Sequence, residues 1–237
     1  TARVWETDSG RLVAELKGHQ HHVWSASYSP DGRRIVTASE DRTARVWEAD
    51  NGRLIAELTG HQDTVLSALY SPDGRRIVTA SSDKTTRVWE ADSGRMVAEL
   101  KGHQKSVMSA SYSPDGRRIV TASDDTTARE WEADSGRMVA ELTGHQNRVL
   151  SASYSPDGRR IVTTSEDHTA RVWEADSGRL VAELKGHQDL VYRAMYSPDG
   201  RRIVTASADK TARVWDADSG RLVAELMGHQ EGVMSAS

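Results

Sequence analysis

One tripeptide recurs along the chain at a constant spacing, and this repetition constrains the fold more than any other feature. Gly-His-Gln begins at six positions that are 42 residues apart, without an insertion or a deletion in any copy. The copies begin at Gly18, Gly60, Gly102, Gly144, Gly186 and Gly228. A fixed period of about 20 to 50 residues indicates an array of identical supersecondary units that are stable only when stacked.

Turn-forming residues divide each unit into four short segments, which we name strands a, b, c and d. In the unit that begins at Gly18, these predicted strands cover residues 23–29, 33–39, 43–49 and 53–58. Ser-Pro-Asp-Gly separates strands a and b and is a strong β-turn signal. Valine, isoleucine, threonine and tryptophan dominate strands b and c, which favours strands over helices. Short strands joined by short loops pair as antiparallel neighbours, so each unit is predicted to be a four-stranded meander.

The predicted sheets have two apolar faces. Apolar residues occupy adjacent positions, as in Ile35–Val36 and Leu54–Ile55, so they point to opposite sides of a strand. A sheet of this kind cannot cover either face alone and must be packed between neighbours. Radial repetition around an axis provides such packing and leaves only short edges, which predicts an all-β propeller.

The unit resembles the WD40 repeat, which has about 40 residues, Gly-His near its start and Trp-Asp near its end. The resemblance extends over essentially the whole chain and implies a WD40-type β-propeller of four-stranded antiparallel blades. In most units the closing dipeptide is Trp-Glu, as at Trp47–Glu48, and it is Trp-Asp only at Trp215–Asp216. Exchange of one acid for another leaves the predicted fold unchanged.

We expect a single domain over residues 1–237, with about six blades. Five complete blades lie within 20–227, and a sixth is shared by 1–16 and 230–237 and lacks strand b. A longer parent chain with seven or more blades is an alternative. Because unpaired strand edges can pair with another chain, self-association through the incomplete blade is also expected unless further sequence completes it.

The resemblance implies a hydrogen-bonded tetrad of histidine, threonine, aspartate and tryptophan in each complete blade. The five tetrads are His19, Thr37, Asp41 and Trp47; His61, Thr79, Asp83 and Trp89; His103, Thr121, Asp125 and Trp131; His145, Thr163, Asp167 and Trp173; and His187, Thr205, Asp209 and Trp215. Histidine, a hydroxyl and aspartate also suggest a catalytic triad. We favour a structural role, because five identical sets cannot all be active sites and a buried imidazole needs partners for both nitrogens. No other acid, base or nucleophile stands apart from the repeat, so we expect no enzymatic activity.

Differences between the units are concentrated in the d–a and b–c connections. These connections share one rim of the predicted propeller because successive strands run in opposite directions, whereas the a–b and c–d turns share the other. We name the two rims the diversified face and the uniform face. Diversification of one face favours a scaffold that binds a protein or a peptide there. Neutral drift is an alternative, as is an engineered or recently amplified repeat array without an evolved ligand.

A large apolar residue follows the first valine of each strand a, where it is expected to lie near the central channel. These residues are Trp24, Leu66, Met108, Leu150, Tyr192 and Met234. Polar candidates for the surrounding rim are His21, His22, Asp63, Lys105, Arg148, Asp189, Arg42, Lys84, Glu166 and Lys210. An apolar centre with a polar rim is typical of a protein-binding surface. Alternatively, the apolar side chains pack on each other and close the channel.

The composition restricts other classes of function. With a net charge of −4 and no long apolar segment, the chain predicts neither a nucleic-acid surface nor a membrane span. The absence of cysteine excludes disulfides, thiolate metal sites and a cysteine nucleophile. Histidines cluster between His19 and His22 and suggest a transition-metal site, but the tetrad already requires His19. We therefore expect no metal and no cofactor.

One position breaks the repeat inside a strand. Glu130 occupies the strand-c position that is valine in the other complete blades, for example Val46 and Val172. Since both faces of a blade are covered, this carboxylate must reach water, pair with an arginine or have a raised pKa. We expect the substitution Glu130→Val to raise stability by about 1–3 kcal/mol.

Overall fold

Strands and tight turns make up the computed structural model, which describes residues 1–236. The chain divides into two compact units, residues 1–110 with 134–136, and the remaining residues. The first strands are β1 (Ala2–Trp5), β2 (Leu12–Leu16), β3 (Val23–Tyr28), β4 (Arg34–Ser39), β5 (Ala44–Glu48), β6 (Leu54–Leu58), β7 (Val65–Tyr70), β8 (Arg76–Ser81), β9 (Thr86–Glu90) and β10 (Met96–Leu100). They are followed by β11 (Val107–Tyr112), β12 (Arg118–Ser123), β13 (Ala128–Glu132), β14 (Met138–Leu142), β15 (Val149–Tyr154), β16 (Arg160–Ser165), β17 (Ala170–Glu174), β18 (Leu180–Leu184), β19 (Val191–Tyr196), β20 (Arg202–Ser207), β21 (Ala212–Asp216) and β22 (Leu222–Leu226). No helix that is long and apolar enough to cross a membrane occurs among these residues.

The strands form five four-stranded antiparallel sheets, each ordered along the chain, and these are the blades predicted from the sequence. We number the blades one to five, from β3–β6 to β19–β22. The predicted strands of blade one correspond to β3, β4, β5 and β6, and each is shorter by one residue at one or both ends. The missing residues belong to turns: Ser29 N–H donates to Arg34 O at 2.9 Å, and Gly32 N–H donates to Ser29 O at 2.9 Å.

Both faces of blade one are buried, as the sequence predicts. On one face, Val36 and Val46 pack against Tyr70 and Trp89 of blade two. On the other face, Ile35 and Trp47 pack against Val4 and Leu16 of β1 and β2. In the second compact unit, blades three, four and five pack in the same way. Burial of each large apolar side chain contributes about 1.5–3 kcal/mol, so stacking is the main stabilising term.

The outer strand departs from the simple two-faced pattern. In β6, Leu54 pairs with Trp47 and Ala56 pairs with Val46, so Ile55 is an extra residue in a β-bulge. Leu54 is 42% exposed. The adjacent apolar residues Leu54 and Ile55 therefore result from a bulge at an edge strand and do not indicate two buried faces at this position.

The segments at the two chain ends are simpler than complete blades. β1 and β2 form a two-stranded antiparallel sheet. Residues 233–236, predicted as part of a strand a, form no strand. Val233 nevertheless donates its N–H to Ser207 O at 2.9 Å and packs on Ala206 and Ala212. Ser237 lies outside the described residues, and the shared sixth blade stays a prediction.

Ion pairs link consecutive blades at the uniform face. The guanidinium of Arg34 pairs with Asp92 in the c–d turn of the next blade. In the second unit, Arg118 Nη1 lies 2.8 Å from Asp176 Oδ1, and Arg160 Nη1 lies 2.8 Å from Asp218 Oδ1. The aspartates are largely exposed, so each pair adds little energy. The arginines are constrained by this contact, which provides a structural reason for their invariance.

Glu130 is completely buried and has both carboxylate oxygens hydrogen-bonded. Its Oε2 accepts a bond from Arg118 Nη1 at 3.1 Å, and its Oε1 accepts one from Tyr154 Oη at 2.9 Å. Burial raises the pKa of Glu130, and it outweighs the opposing bonds from Tyr154 and Arg118 and the attraction of the Arg118 charge. Of the three environments considered from the sequence, two apply together: the carboxylate has an arginine partner and a raised pKa.

We expect Glu130→Val to increase the free energy of unfolding by about 1–3 kcal/mol at pH 7, because removal of a buried charge removes its desolvation cost. Arg118 is not left unpaired, since it retains Asp176 at 2.8 Å. The folded pKa of Glu130 lies above the ordinary value of 4.5, so folding favours the protonated carboxyl and the penalty grows as the pH rises above that value. The gain should therefore shrink on acidification. Urea unfolding of both proteins at several pH values measures the difference, and an equal or lower midpoint for Glu130→Val at pH 7 would contradict it.

Candidate functional site

The d–a and b–c connections lie side by side at one end of each blade. In the first unit, Glu40 N–H donates to His22 O at 2.9 Å, and Ser82 N–H donates to Thr64 O at 2.9 Å. In the second unit, Glu166 N–H donates to Arg148 O at 3.0 Å. These backbone bonds bring the two sets of variable positions together within each blade.

The large residue after the first valine of strand a lies in a β-bulge, which sequence reasoning missed. In blade one, Val23 pairs with Ser39 but Ser25 pairs with Ala38, so Trp24 has no position in the ladder. The same shift occurs in blades two, four and five, at Leu66, Leu150 and Tyr192. A bulge redirects a side chain and bends the strand. The bulge therefore points these variable large side chains in a direction that differs from that of their neighbours in the sheet.

The exposure of these bulge-position residues is mixed. Trp24 is 58% exposed and Met234 is 65% exposed. The others, Leu66, Met108, Leu150 and Tyr192, are half-buried. Trp24 thus retains a large accessible surface, and the alternative from the sequence, that these side chains pack on each other, stays a prediction.

A groove of about 590 Å³ lies between blades one and two in the first unit. It brings together three predicted polar residues, His21, Arg42 and Asp63. Its other lining residues are Gln20, Glu40, Asp41 and Thr64. His22 lies beside it, with its Nδ1 at 3.0 Å from Glu40 Oε2.

In the second unit, Arg148 connects variable positions from two blades. Its Nε donates to Asp124 Oδ1 at 2.7 Å, and its Nη1 donates to Glu166 Oε1 at 3.0 Å. Asp124 belongs to the b–c turn of blade three, and Glu166 to that of blade four. Arg148 and Glu166 were both predicted for the diversified face, and the structure places them in one ion-paired cluster.

The tetrad of blade one is a directional chain of hydrogen bonds. Trp47 Nε1–H donates to Thr37 Oγ1 at 2.8 Å, and Thr37 Oγ1 lies 2.7 Å from His19 Nε2. His19 Nδ1 lies 2.8 Å from Asp41 Oδ2. Because indole only donates and carboxylate only accepts, Thr37 donates to His19 Nε2 and a neutral imidazole donates to Asp41. Blades two, four and five show the same bonds, and in blade three Trp131 donates to Thr121 at 2.9 Å.

The electrostatics of the tetrad favour this neutral histidine and an ionised aspartate. Burial lowers the pKa of His19 and outweighs the opposing bond with Asp41. Burial alone would raise the pKa of Asp41, but bonds from Thr43, Gln20 and His19 hold it far below its usual range. The His19 side chain is 1% exposed and both its nitrogens are engaged, an arrangement suited to internal support.

Polar groups elsewhere do not converge on a metal-binding arrangement. Within residues 1–236, no three histidine, cysteine, aspartate or glutamate side chains are grouped closely enough to hold a metal ion. In the cluster considered from the sequence, His19 bonds Thr37 and Asp41, whereas His22 bonds Glu40. The histidines thus have separate partners.

We expect Thr79→Val to lower the free energy of unfolding by about 2–4 kcal/mol, because the buried Trp89 Nε1–H and His61 Nε2 both lose their partner while side-chain volume is conserved. Urea unfolding followed by tryptophan fluorescence measures this loss. The matched control is Thr59→Val, at an exposed position, which should change stability by less than about 0.5 kcal/mol. Equal stability of the two variants would show that the tetrad bonds add nothing.

Comparison with known proteins agrees with this architecture. The family model described as "WD domain, G-beta repeat" matches residues 10–48, 52–90, 94–132, 136–174 and 178–216. An uncharacterized WD repeat-containing protein of Schizosaccharomyces pombe is 44% identical over 39 residues, which are 16% of this chain and 10% of that protein. Coronin-7 of Mus musculus and of Homo sapiens is 37% identical over 41 residues, which are 17% of this chain and 4% of coronin-7. The matches thus span a tenth or less of these relatives. The five matched repeats cover most of the chain, and the protein belongs to the WD40 family.

Proposed function

We propose that this chain is a non-catalytic scaffold that binds a protein or a peptide through its diversified face. WD40 repeats generally mediate protein interactions, and the family is typically non-catalytic. The finer assignment to the d–a and b–c connections rests on one observation. The large variable residues lie in β-bulges, at the blade end that also carries the variable loops.

The contrast between the two faces supports this assignment only in part. On the uniform face the a–b turn is fixed by its own bonds, since Ser29 Oγ donates to Asp31 Oδ1 at 2.6 Å and Arg34 N–H donates to Ser29 Oγ at 2.9 Å. Arg34 also pairs with Asp92 of the next blade. Structural requirements thus explain why these residues are invariant. Arg33 gives stronger support, because its exposed side chain is equally invariant although its bonds, from its N–H to Asp31 and from Ala49 N–H to its carbonyl, use only its backbone.

The accessible apolar surface at these positions favours association. Complete burial of one large apolar side chain contributes about 1.5–3 kcal/mol, so a partner gains most by covering Trp24, which is 58% exposed, and less at the half-buried positions. The polar groove lined by His21, Arg42 and Asp63 would orient the partner, since the rim of an interface adds selectivity more than energy.

Selection from a phage library of random peptides on the immobilised protein tests the proposal. We expect enriched peptides whose affinity falls tenfold or more in Trp24→Ala or in Tyr192→Ala, because large aromatic residues dominate such interfaces. Matched controls on the uniform face are Arg33→Ala and Arg75→Ala, which should bind as the unaltered chain does. Circular dichroism verifies that each variant is folded.

Two outcomes would contradict the proposal. Equal loss of binding in the aromatic and the arginine variants would remove the assignment to the diversified face. Failure to enrich any peptide would favour the alternative from the sequence, a repeat array without an evolved ligand, for which the near-identity of the units is the supporting observation.

A further inference from the structure

The b–c turn of every complete blade holds a residue other than glycine in the left-handed backbone conformation. Immediately after the tetrad aspartate, φ is 69° at Arg42 and 73° at Lys84 in the first unit. In the second unit it is 73° at Thr126, 67° at His168 and 69° at Lys210. A side chain with a Cβ is unfavourable in this conformation, and a β-branched threonine is especially so.

The same chain uses glycine wherever this conformation occurs on the uniform face. In blade one, the a–b turn has Gly32 at φ 70° and the c–d turn has Gly52 at φ 72°. Glycine would also satisfy the b–c turn, because the bond that closes it, from Arg42 N–H to Ser39 O at 3.3 Å, uses only the backbone. The turn itself therefore does not require the side chains that the diversified face carries there.

Three of these five side chains are cations without an intramolecular partner. Arg42, Lys84 and Lys210 are exposed, and none of them has an acidic group within 4.0 Å anywhere in the described chain. Most other cations are paired: for example, Lys17 Nζ lies 2.6 Å from Glu15 Oε2, and Lys185 Nζ lies 2.8 Å from Glu183 Oε2.

The acids nearest to Arg42 along the chain and in its groove are otherwise engaged. Asp41 is only 7% exposed and accepts bonds from His19, Gln20 and Thr43. Glu40 lies 3.0 Å from His22 Nδ1, and Asp63 accepts a bond from Thr64 N–H at 2.7 Å. The fold therefore supplies no acidic partner for the positively charged side chain of Arg42.

We propose that Arg42 and Lys84, which both lie in the first unit, are specificity-determining residues that bind carboxylates of an acidic peptide segment in the partner. This inference rests on the proposed function and adds to it the chemistry of the ligand. A side chain that is unfavourable for its turn and unpaired in the free protein is retained for contacts made on binding. Positive φ at exposed turn residues is then a cost in stability that glycine would remove.

The test uses the same phage library of random peptides and the full chain. Peptides selected by the unaltered protein should be enriched in aspartate and glutamate, and their affinity should fall as the salt concentration rises. The single variants Arg42→Gly and Lys84→Gly should each lower the affinity for a synthetic copy of a selected peptide by about two- to fivefold, the range of an exposed ion pair. Their urea midpoints should nevertheless increase, because glycine relieves the left-handed turn.

Charge variants separate the backbone effect from the binding effect. Lys84→Glu keeps the unfavourable side chain and reverses the charge, so it should weaken peptide binding more than Lys84→Gly does, without the increase in urea midpoint. Arg42→Lys should preserve both affinity and midpoint. Matched charge reversals on the uniform face, Arg33→Glu and Arg75→Glu, should leave the peptide affinity unchanged.

Each result has one interpretation. Selected peptides without acidic enrichment, or acidic peptides that bind Lys84→Glu as well as the unaltered chain, would overturn this inference and leave the proposed function standing. Glycine variants that lose stability would overturn the argument from the turn. Failure to select any peptide would contradict the proposed function itself, and this inference with it.

Discussion

Stacking of sheets that are apolar on both sides is the interaction on which the rest of the structure depends. A blade of four short strands has too little interior of its own, and its valines, isoleucines and tryptophan become buried only when another blade covers them. Val36 and Val46 depend on Tyr70 and Trp89, just as Ile35 and Trp47 depend on Val4 and Leu16. The tetrad acts within this packed layer. It fixes the tryptophan through Thr37 and joins the d–a and b–c connections through His19 and Asp41, so that the loops start from a rigid base.

Much of this architecture can be predicted from the sequence because an exact repeat constrains it repeatedly. Strand order, the antiparallel meander, the two covered faces and the family follow from turn residues and apolar positions that recur without insertions. The bulges at Trp24 and Ile55 could not be predicted, since a bulge depends on the register between two strands and neither strand encodes it alone. Leu54–Ile55 illustrates the error that results: two adjacent apolar residues suggested a strand buried on both sides, but Leu54 lies at an exposed edge.

In the candidate site, too, some features could be predicted from the sequence and others could not. Chain direction predicts that the variable connections meet at one end of the blade, and the bonds between Glu40 and His22 and between Glu166 and Arg148 agree with it. Exposure depends on packing around each side chain, which is why six equivalent apolar residues range from half-buried to largely exposed. The left-handed b–c turn could not be predicted either. Arginine, lysine, threonine or histidine follows the aspartate there, and the glycine that usually indicates such a conformation is absent.

The surroundings of Glu130 affect how this array can tolerate change. Every complete blade carries the arginine and the tyrosine that partner this carboxylate, because both belong to the repeated unit. At the matching contacts, Val46 and Val172 occupy the position of Glu130, and the hydroxyls of Tyr70 and Tyr196 are buried without a hydrogen-bond partner among the described residues. A valine-to-glutamate change is usually strongly destabilising in a protein interior. At these contacts, however, the buried tyrosine hydroxyl can donate a hydrogen bond to the new carboxylate. Because the repeat places a hydrogen-bond donor at every such contact, the interior can accept a carboxylate there. Individual blades can therefore diverge from the other copies one at a time.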